Sequence, residues 1–347
     1  MTHLADLGEK AFLASLLPTL TVDPTFVNGF GHDASVIDVG LEHYIAAKID
    51  RAPFPVALRH GVGSYRTWGR LAVVANVSDL LAVAALPRAM MLSMVLPKDF
   101  HAKDAQEIVE GCAEACVQHG IAFIGGDTKE GDTAQVVGMA LGTVEKDHRV
   151  GRAQAQAGDA LFVAGSVGGF AAALTLIRQQ HGRADWTARC TAVMTNPRAR
   201  VKEASYLRRH DAIRAACDLS DGLAEAVNIF CGDFLGITLD EARLPLHDLV
   251  ADAAASVNAE AWRFALAAGD WALAFVVEQA AIDQFEAAID SNTEIRQLGR
   301  FDATGIKQIR DKSGMMHGLP NVINEQFKSR IEDEGRYLEL LLGTATD

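Results

Sequence analysis

The chain has 347 residues, of which 49% are hydrophobic, and its formal net charge is −13. This acidic balance, without any cluster of lysine and arginine, argues against a nucleic-acid partner. No apolar run approaches the ~20 residues of a membrane span, and the N-terminal stretch lacks the pattern of a secretory signal. Five cysteines, an odd number, fit a reducing compartment. We therefore expect a cytoplasmic protein without a membrane or nucleic-acid partner.

The first half of the sequence alternates between apolar strand-like runs and helical patterns. A long segment rich in small apolar residues, 67–85, predicts a buried helix, and the periodicity at 102–119 ends at Gly120, a typical helix C-cap. The predicted helices here cover 4–17, 67–85 and 102–119, and the predicted strands cover 36–39, 44–49, 89–96, 121–124 and 135–144.

The second half repeats this alternation after a boundary near residue 150. Strands are predicted at 160–164, 213–217, 271–277 and 294–302, helices at 170–180, 199–208, 222–232, 280–290 and 324–342, and an irregular segment at 185–197. The pattern beyond residue 305 assigns no element before the last helix. Mixed strands and helices in two halves predict an α/β (α+β) chain with domains at 1–150 and 151–347.

Several aspartates sit among apolar or small residues rather than on charged faces. The stretch 217–223 reads CDLSDGL, and Asp33, Asp50, Asp79 and Asp127 have similar surroundings. Each one alone is typical of a helix N-cap or a turn. Two charges ~4 Å apart repel by ~4 kcal/mol at an effective dielectric of about 20, so aspartates that converge need cations. All-oxygen ligands favour Mg²⁺ or Ca²⁺, and Mg²⁺ is commonly shared with substrate phosphates.

Two glycine-rich stretches add a possible phosphate contact. Gly125-Gly126 and the segment 165–169 offer backbone N–H groups that favour phosphate binding. The chain has no GxxxxGK[ST] pattern, and GSVGG at 165–169 is not the GxGxxG dinucleotide fingerprint. These motifs therefore indicate metal–phosphate chemistry outside the P-loop and Rossmann classes.

The order and spacing of these motifs resemble the aminoimidazole ribonucleotide (AIR) synthase superfamily, with its PurM-like fold, and within it most closely the thiamine-monophosphate kinases. The resemblance extends to about residue 302. It rests on seven stretches in order: Gly31–Ala34, Asp50, Asn76–Asp79 with Ala85–Pro87, Gly125–Thr128, Arg152 with Gly158-Asp159, Asp218–Leu223 and Ala268–Leu273.

The resemblance implies a two-domain PurM-like fold. The strands of the N-terminal domain would pair with those of a second subunit into a dimeric β-barrel, and the C-terminal domain would be α/β with a mixed sheet. ATP would lie in the cleft between the domains, with its phosphates held through Mg²⁺. A homodimer, ATP and Mg²⁺ are thus expectations that follow from the family.

The resemblance also implies a role for each matching residue. The implied metal ligands are Asp33, Asp79, Asp127, Asp218 and Asp221. The implied catalytic residues are Asp50, Asp127 and Asp221. His32 departs from the family pattern and is a further catalytic candidate, because a histidine can donate a hydrogen bond or take a proton near neutrality. The implied nucleotide or phosphate contacts are Gly125, Gly126, Thr128, Lys129, Arg152 and Ser220.

The sequence departs from the kinase pattern where the acceptor binds. His32 stands where the kinases have the first aspartate of a pair, which removes a ligand or supplies a hydrogen-bonding group. Residues 51–56 read RAPFPV in place of the kinases' acceptor-binding segment and its histidine, and Gly269 and Ala272 replace two glutamates. The nucleotide and metal half of the site therefore matches the family, whereas the acceptor half is rebuilt.

Three functions are compatible with this pattern. The leading one is an Mg²⁺-dependent, ATP-using phosphotransferase acting on a small metabolite that need not be thiamine monophosphate. The second is an ATP-dependent ligase or cyclase that activates an amide or carboxyl oxygen, and the third is a nucleotide-binding regulator without catalysis. Arg66 and Arg70 are either acceptor-binding residues or ordinary surface arginines.

Overall fold

The computed structural model describes residues 3–147, 150–179, 184–320, 327 and 334–343. Its strands form one sheet of five and one sheet of seven, and neither sheet closes on itself. No closed barrel occurs in this part of the chain, so one chain by itself does not form the predicted barrel. No helix among these residues has the length and apolar character needed to cross a membrane.

The five-stranded sheet belongs to the first half of the chain, in the order β1-β2-β5-β3-β4. Strands β3 and β4 are parallel, and all other neighbours are antiparallel. The strands are β1 (Ser35–Ile37), β2 (Tyr44–Ala52), β3 (Leu86–Leu96), β4 (Ala122–Glu130) and β5 (Gln135–Val144). The helices are α1 (Leu4–Leu7), α2 (Glu9–Leu16), α3 (Val56–Arg59), α4 (Arg66–Ala82) and α5 (Ala102–His119).

The seven-stranded sheet belongs to the second half, in the order β12-β11-β8-β10-β6-β9-β7. It is mixed, as predicted, because β11 runs parallel to β8 while the other pairs are antiparallel. Its strands are β6 (Ala160–Ala164), β7 (Ile213–Asp218), β8 (Gly236–Asp240), β9 (Leu273–Val277), β10 (Ile295–Asp302), β11 (Lys307–Arg310) and β12 (Met316–Gly318). The helices are α6 (Gly169–Arg178), α7 (Ala184–Thr195), α8 (Leu223–Cys231), α9 (Leu249–Val257), α10 (Ala261–Phe264), α11 (Ile282–Ala288) and α12 (Glu334–Leu342).

Helix α4 lies between the two sheets and contacts strands of both. Fourteen of its 17 residues are buried, and most of them are alanine, valine or leucine. A helix that is buried on all sides is apolar on all sides. Three of the other buried residues, Asn76, Ser78 and Asp79, are polar and lie in its C-terminal half. They bring polar groups into the interior between the two halves of the chain.

Two glycines allow α4 and α5 to pack unusually closely. A Cβ atom added at Gly69 would lie 1.9 Å from the carbonyl oxygen of Ile108, and one at Gly111 would lie 2.0 Å from the carbonyl oxygen of Arg66. Both neighbours are backbone atoms, which cannot rotate away. Glycine at these positions is therefore a requirement of the helix contact.

The five-stranded sheet has one face covered by helices and one face open to solvent. The open face carries a row of apolar side chains across three strands, formed by Ile49, Met139 and Met91 in direct register. Ile49 is 68% exposed and Met91 is 38% exposed. An apolar face of this kind is typical of an interaction surface.

Several predicted elements differ from those observed. The segment 185–197, expected to be irregular, lies largely in helix α7, because Cys190 and Met194, one turn apart, are buried in the core. The predicted helix 199–208 is reduced to a 3₁₀ turn at Glu203–Ser205, which suffices to bury the neighbouring core residues. The first predicted helix is split at Gly8, whose φ is +78°.

The end of the chain also differs from expectation. Beyond residue 305, where no element was assigned, the chain forms β11 and β12. Of the predicted helix 324–342, the described part is α12, and the rest lies outside the described residues except for Phe327.

We predict that Gly111→Ala destabilises the protein. The added methyl group overlaps the α4 backbone, and overpacking of this kind typically costs about 1–3 kcal/mol. Chemical denaturation measures the free energy of unfolding, with Gln118→Ala at an exposed position of the same helix as the control. A Gly111→Ala protein as stable as that control would contradict the close helix contact.

Candidate active-site cavity

A cavity of about 980 Å³ lies between the two halves of the chain. Its walls come from α2, β2, α3 and α4 on one side, and from the 218–222 turn and the loops before α6 and β9 on the other. Both halves of the chain thus contribute residues to the same cavity, and most of the predicted site residues line it.

Three buried aspartates meet at the wall of this cavity. Asp33 precedes β1, Asp79 lies on α4 and Asp218 ends β7. Each is at most 6% exposed. One carboxylate oxygen from each lies within 4.8 Å of the others. The sequence prediction that scattered acidic turns converge is therefore met by these three residues.

Two basic side chains partly neutralise this cluster. Lys48 Nζ lies 2.7 Å from Asp79 Oδ2. Arg152 donates to Asp33 Oδ1 from Nη2 at 2.7 Å and from Nε at 3.1 Å. Burial lowers the pKa of each base, but the neighbouring carboxylate outweighs it, so the pKa values of Lys48 and Arg152 are raised. Both side chains are therefore firmly cationic at neutral pH.

The remaining negative charge is not compensated by protein groups. Burial, followed by the charge of Asp33, raises the pKa of Asp218 to about 7. Burial, followed by Asp218, also raises the pKa of Asp79, in spite of Lys48. Oδ2 of Asp33 and Oδ2 of Asp218 are buried without a hydrogen-bond partner among the described residues. Unpartnered buried acceptors of this kind are rare in proteins.

The cluster has the properties of a site for a hard divalent cation. Its donors are all carboxylate oxygens, and two of them are unpartnered and buried. Mg²⁺ and Ca²⁺ prefer such oxygen donors, whereas zinc prefers nitrogen and sulfur. The residues present therefore fit the Mg²⁺ ion that the sequence pattern predicted.

The same cavity holds other residues of the predicted site. Asp50, Asp221 and Ser220 line it, and Ser220 Oγ donates to Asp218 Oδ1 at 2.9 Å. His32 also lines it and packs against Gly151, where a Cβ atom would lie 2.4 Å from Nδ1. Burial lowers the pKa of His32, so the ring is neutral at pH 7.

The GGDT stretch does not reach this cavity within one chain. Gly125, Gly126, Asp127, Thr128 and Lys129 lie on β4, the edge strand of the five-stranded sheet, and all are exposed. Asp127 is in register with Ser93, which neighbours Met91 on the open face, whereas Asp50 points to the helix-covered face. The chain therefore separates Asp127 from the other aspartates instead of bringing them together.

The prediction that segment 165–169 offers free N–H groups to phosphate is wrong. Asp270 accepts from the backbone N–H of Gly168 at 2.6 Å and of Phe170 at 2.9 Å. The N–H groups of Gly165 and Val167 donate to the carbonyl oxygens of Glu294 and Pro245. The start of α6 is thus already occupied by a carboxylate of the chain itself.

The suggestion that Arg66 and Arg70 bind an acceptor is also not supported. Arg66 forms ion pairs with Glu110 and Glu114, and Arg70 pairs with Glu114 at 2.8 Å. Neither arginine lines the cavity. Their side chains connect α4 to α5.

Sequence reasoning missed Lys48 and the capping role of Asp270. Lys48 stands two residues before Asp50 on a strand, so both side chains point to the same face. This two-residue spacing could have identified Lys48 as a neighbour of the predicted site. No local signal could have shown that Asp270 caps a helix 100 residues earlier in the chain.

Comparison with known proteins identifies the family. The profile of the "AIR synthase related protein, N-terminal domain" matches residues 31–144, and that of its C-terminal domain matches residues 156–312. A thiamine-monophosphate kinase of Rhodopirellula baltica is 28% identical over 249 residues, 69% of this chain and 72% of the relative. A putative hydrogenase expression/formation protein of Methanocaldococcus jannaschii is 31% identical over 187 residues, 52% of this chain and 54% of the relative.

A solved structure has the same fold. The structure of AaThiL complexed with AMPPCP and TMP superposes with a TM-score of 0.74 at 21% identity, covering 89% of this chain and 95% of that one. The two matching profiles, the relatives and the shared fold agree with the motifs that surround the cavity. The chain belongs to the AIR synthase related family, with the two-domain PurM-like fold and with thiamine-monophosphate kinases among its relatives.

Proposed function

We propose that the protein is an Mg²⁺-dependent, ATP-using phosphotransferase that acts on a small metabolite. The observation that carries this proposal is the buried cluster of Asp33, Asp79 and Asp218 at the wall of a large inter-domain cavity. An ATP analogue and TMP are the ligands of AaThiL in the similar structure, and kinases are among the relatives.

Asp33, Asp79 and Asp218 would hold Mg²⁺, with Asp221 beside them. The ion would neutralise and align the phosphates of ATP, and phosphoryl transfer depends mainly on such positioning and charge stabilisation. Lys48 and Arg152 orient Asp79 and Asp33 through the ion pairs described above and supply part of the positive charge that the cluster needs. Ser220 holds Asp218 by its hydroxyl group.

Asp50 and the neutral ring of His32 lie on the wall of the same cavity. Asp50 would accept a proton from the acceptor or orient it. His32 would hydrogen-bond to the acceptor without adding a positive charge. Neither role requires a covalent intermediate on the protein.

The acceptor remains a small metabolite of unassigned identity. Residues 51–56, RAPFPV, line part of the cavity but differ from the acceptor-binding segment of the kinases that the chain resembles. Thiamine monophosphate is the first compound to test, followed by a metabolite screen with ATP and Mg²⁺. Mass spectrometry of the products also tests the second candidate function. A phosphorylated metabolite identifies a kinase, whereas free phosphate with a new C–N bond identifies a ligase or cyclase.

We also propose that the functional unit is a homodimer. The apolar row on the open sheet face needs a covering partner, and β4 is an exposed edge strand next to it. Asp127 projects from that face, so it can reach a carboxylate cluster only in another chain. The partner subunit would thereby supply the missing GGDT stretch.

Asp218→Asn and Asp221→Asn are expected to reduce ATP turnover by roughly 100-fold or more, because each removes charge from the proposed metal and phosphate site. The matched control is Asp233→Asn, an exposed aspartate of the same domain. Steady-state assays of ATP consumption with and without Mg²⁺ measure this effect. Turnover by the wild-type protein without any divalent metal would exclude the proposed chemistry.

The stabilisation of the protein by Mg²⁺ is expected to depend on pH. The pKa of Asp218 is raised to about 7 in the folded protein, against an ordinary value of about 3.9 in an unfolded chain. The folded state therefore binds the additional proton, and without metal the stability falls as pH rises from about 4 to 7. Mg²⁺ offsets this loss, so it should raise Tm more at about pH 8 than at about pH 5.5.

Thermal melting with and without Mg²⁺ at both pH values measures this linkage. The variant Asp218→Asn is the control, since it has no such proton to lose. A shift in Tm that is the same at both pH values in the wild-type protein would contradict the buried carboxylate cluster as the metal site.

Subunit mixing tests the role of Asp127. Asp127→Asn and Asp218→Asn should each be inactive alone. Co-refolding equal amounts makes half of the dimers mixed, and each mixed dimer has one intact site if Asp127 serves its partner, so activity should recover to about a quarter of wild type. No recovery, although mixed dimers form, would show that Asp127 does not act across the interface.

A further inference from the structure

We propose that the C-terminal helix α12 is a positioning element of the active-site cavity, acting through Tyr337 on the metal-ligand turn and through Glu334 on the opposite wall. This inference rests on the proposed function for its meaning in catalysis. The helix covers Glu334–Leu342 and lies beyond residue 312, where the match to the family ends. Its role is therefore not given by membership of the family.

The first connection runs from Tyr337 to the loop before β9. The Tyr337 hydroxyl group accepts a hydrogen bond from the backbone N–H of Ala268 at 2.8 Å. Tyr337 is 3% exposed, so this bond is shielded from water. Burial raises the pKa of Tyr337, which keeps the hydroxyl neutral at any physiological pH. Ala268, Gly269 and Asp270 follow one another along the cavity wall.

From this loop the connection continues to the carboxylate cluster. The N–H of Gly269 donates to the carbonyl oxygen of Ser220 at 3.2 Å, and Ser220 Oγ in turn donates to Asp218 Oδ1. Asp270, the next residue, caps α6. Three hydrogen bonds, connected by the Ala268-Gly269 backbone and by Ser220, thus link α12 to Asp218.

The second connection reaches the other side of the cavity. Glu334 is 7% exposed, and its Oε2 lies 2.6 Å from Nε2 of His60. The same carboxylate lies 3.6 Å from Nη1 of Arg59 and 3.5 Å from Nη1 of Arg178. Arg59 ends α3 and lines the cavity, whereas Arg178 ends α6. One carboxylate therefore ties the first half of the chain to the second.

The apolar side of α12 fixes the helix itself. Leu338, Leu341 and Leu342 are buried in the core of the second half. The helix is therefore anchored by its own packing, so it can hold Tyr337 and Glu334 in position. Its two anchored residues stand three positions apart, which places them on one face of a helix.

The first test is Tyr337→Phe, which removes one hydroxyl group and keeps the ring. Loss of one buried hydrogen bond changes an equilibrium constant by about tenfold. Because this bond holds the turn that carries the metal ligands, Mn²⁺ should bind the variant about tenfold more weakly than wild type. Titration of metal-free protein followed by electron paramagnetic resonance measures this affinity. Amide hydrogen exchange should also become faster at 268–270 and at 219–222.

Glu334→Gln tests the second contact, with Glu339→Gln as the matched control on the exposed side of the same helix. Glu334→Gln should accelerate amide exchange at 56–61 and weaken the binding of AMPPCP with Mn²⁺, while Glu339→Gln behaves as wild type. If Tyr337→Phe does not fold, Glu334→Gln alone tests whether α12 positions the cavity wall.

Two results would overturn the positioning role. One is a Tyr337→Phe protein with lowered Tm but unchanged Mn²⁺ affinity and unchanged exchange at 219–222. The other is a Glu334→Gln protein indistinguishable from Glu339→Gln. If wild-type protein binds no Mn²⁺, the proposed function fails, and the exchange rates alone then decide whether α12 supports the cavity wall.

Discussion

The structure depends on the burial of three carboxylates at one point between two domains. Unit charges about 4 Å apart repel by ~4 kcal/mol at an effective dielectric of 20, so Asp33, Asp79 and Asp218 cannot all be ionised there without cations. Lys48 and Arg152 compensate two of the three charges. Burial, followed by the charge of Asp33, raises the pKa of Asp218 to about 7, so near neutrality a proton or a dication balances the third carboxylate. A carboxylate cluster that lacks one positive charge in this way fits the Mg²⁺–phosphate site that we propose.

Helix α4 makes this burial possible. It carries Asp79 into the space between the sheets because its other side chains are small enough for both sheets to approach it. Gly69 and Gly111 let α5 pack on its outer side with backbone contacts. With α5 and both sheets fixed around it, α4 cannot rotate away to expose Asp79. The energy of core packing therefore offsets the repulsion within the carboxylate cluster.

The sequence predicted the parts of the site that are locally encoded. Asp33, Asp79 and Asp218 were recognisable because each stands among apolar or small neighbours, where an unpaired charge is costly. Asp127 satisfied the same criterion, but the face to which it points depends on its register with β3, which no local pattern reveals. The N–H groups of segment 165–169 looked free because their acceptor, Asp270, lies 100 residues away from Phe170. Helix α7 was missed because two buried side chains, rather than its overall polarity, decide its conformation.

The segment that replaces the kinases' acceptor-binding stretch is a firm wall rather than a loose insertion. Pro53 and Pro55 restrict its backbone, and the ring of Phe54 packs edge-on against Trp68 at 5.1 Å. Trp68 Nε1 in turn donates to the carbonyl oxygen of Ala52 at 3.2 Å, so Trp68 of α4 contacts two residues of the stretch. In the proposed acceptor site, a wall with so few accessible conformations would discriminate between ligands by shape, since it could not adapt to several. The same buried helix therefore carries a proposed metal ligand and contacts the wall where the sequence departs from the kinases, so in the proposed reaction it would tie the choice of acceptor to the position of the metal.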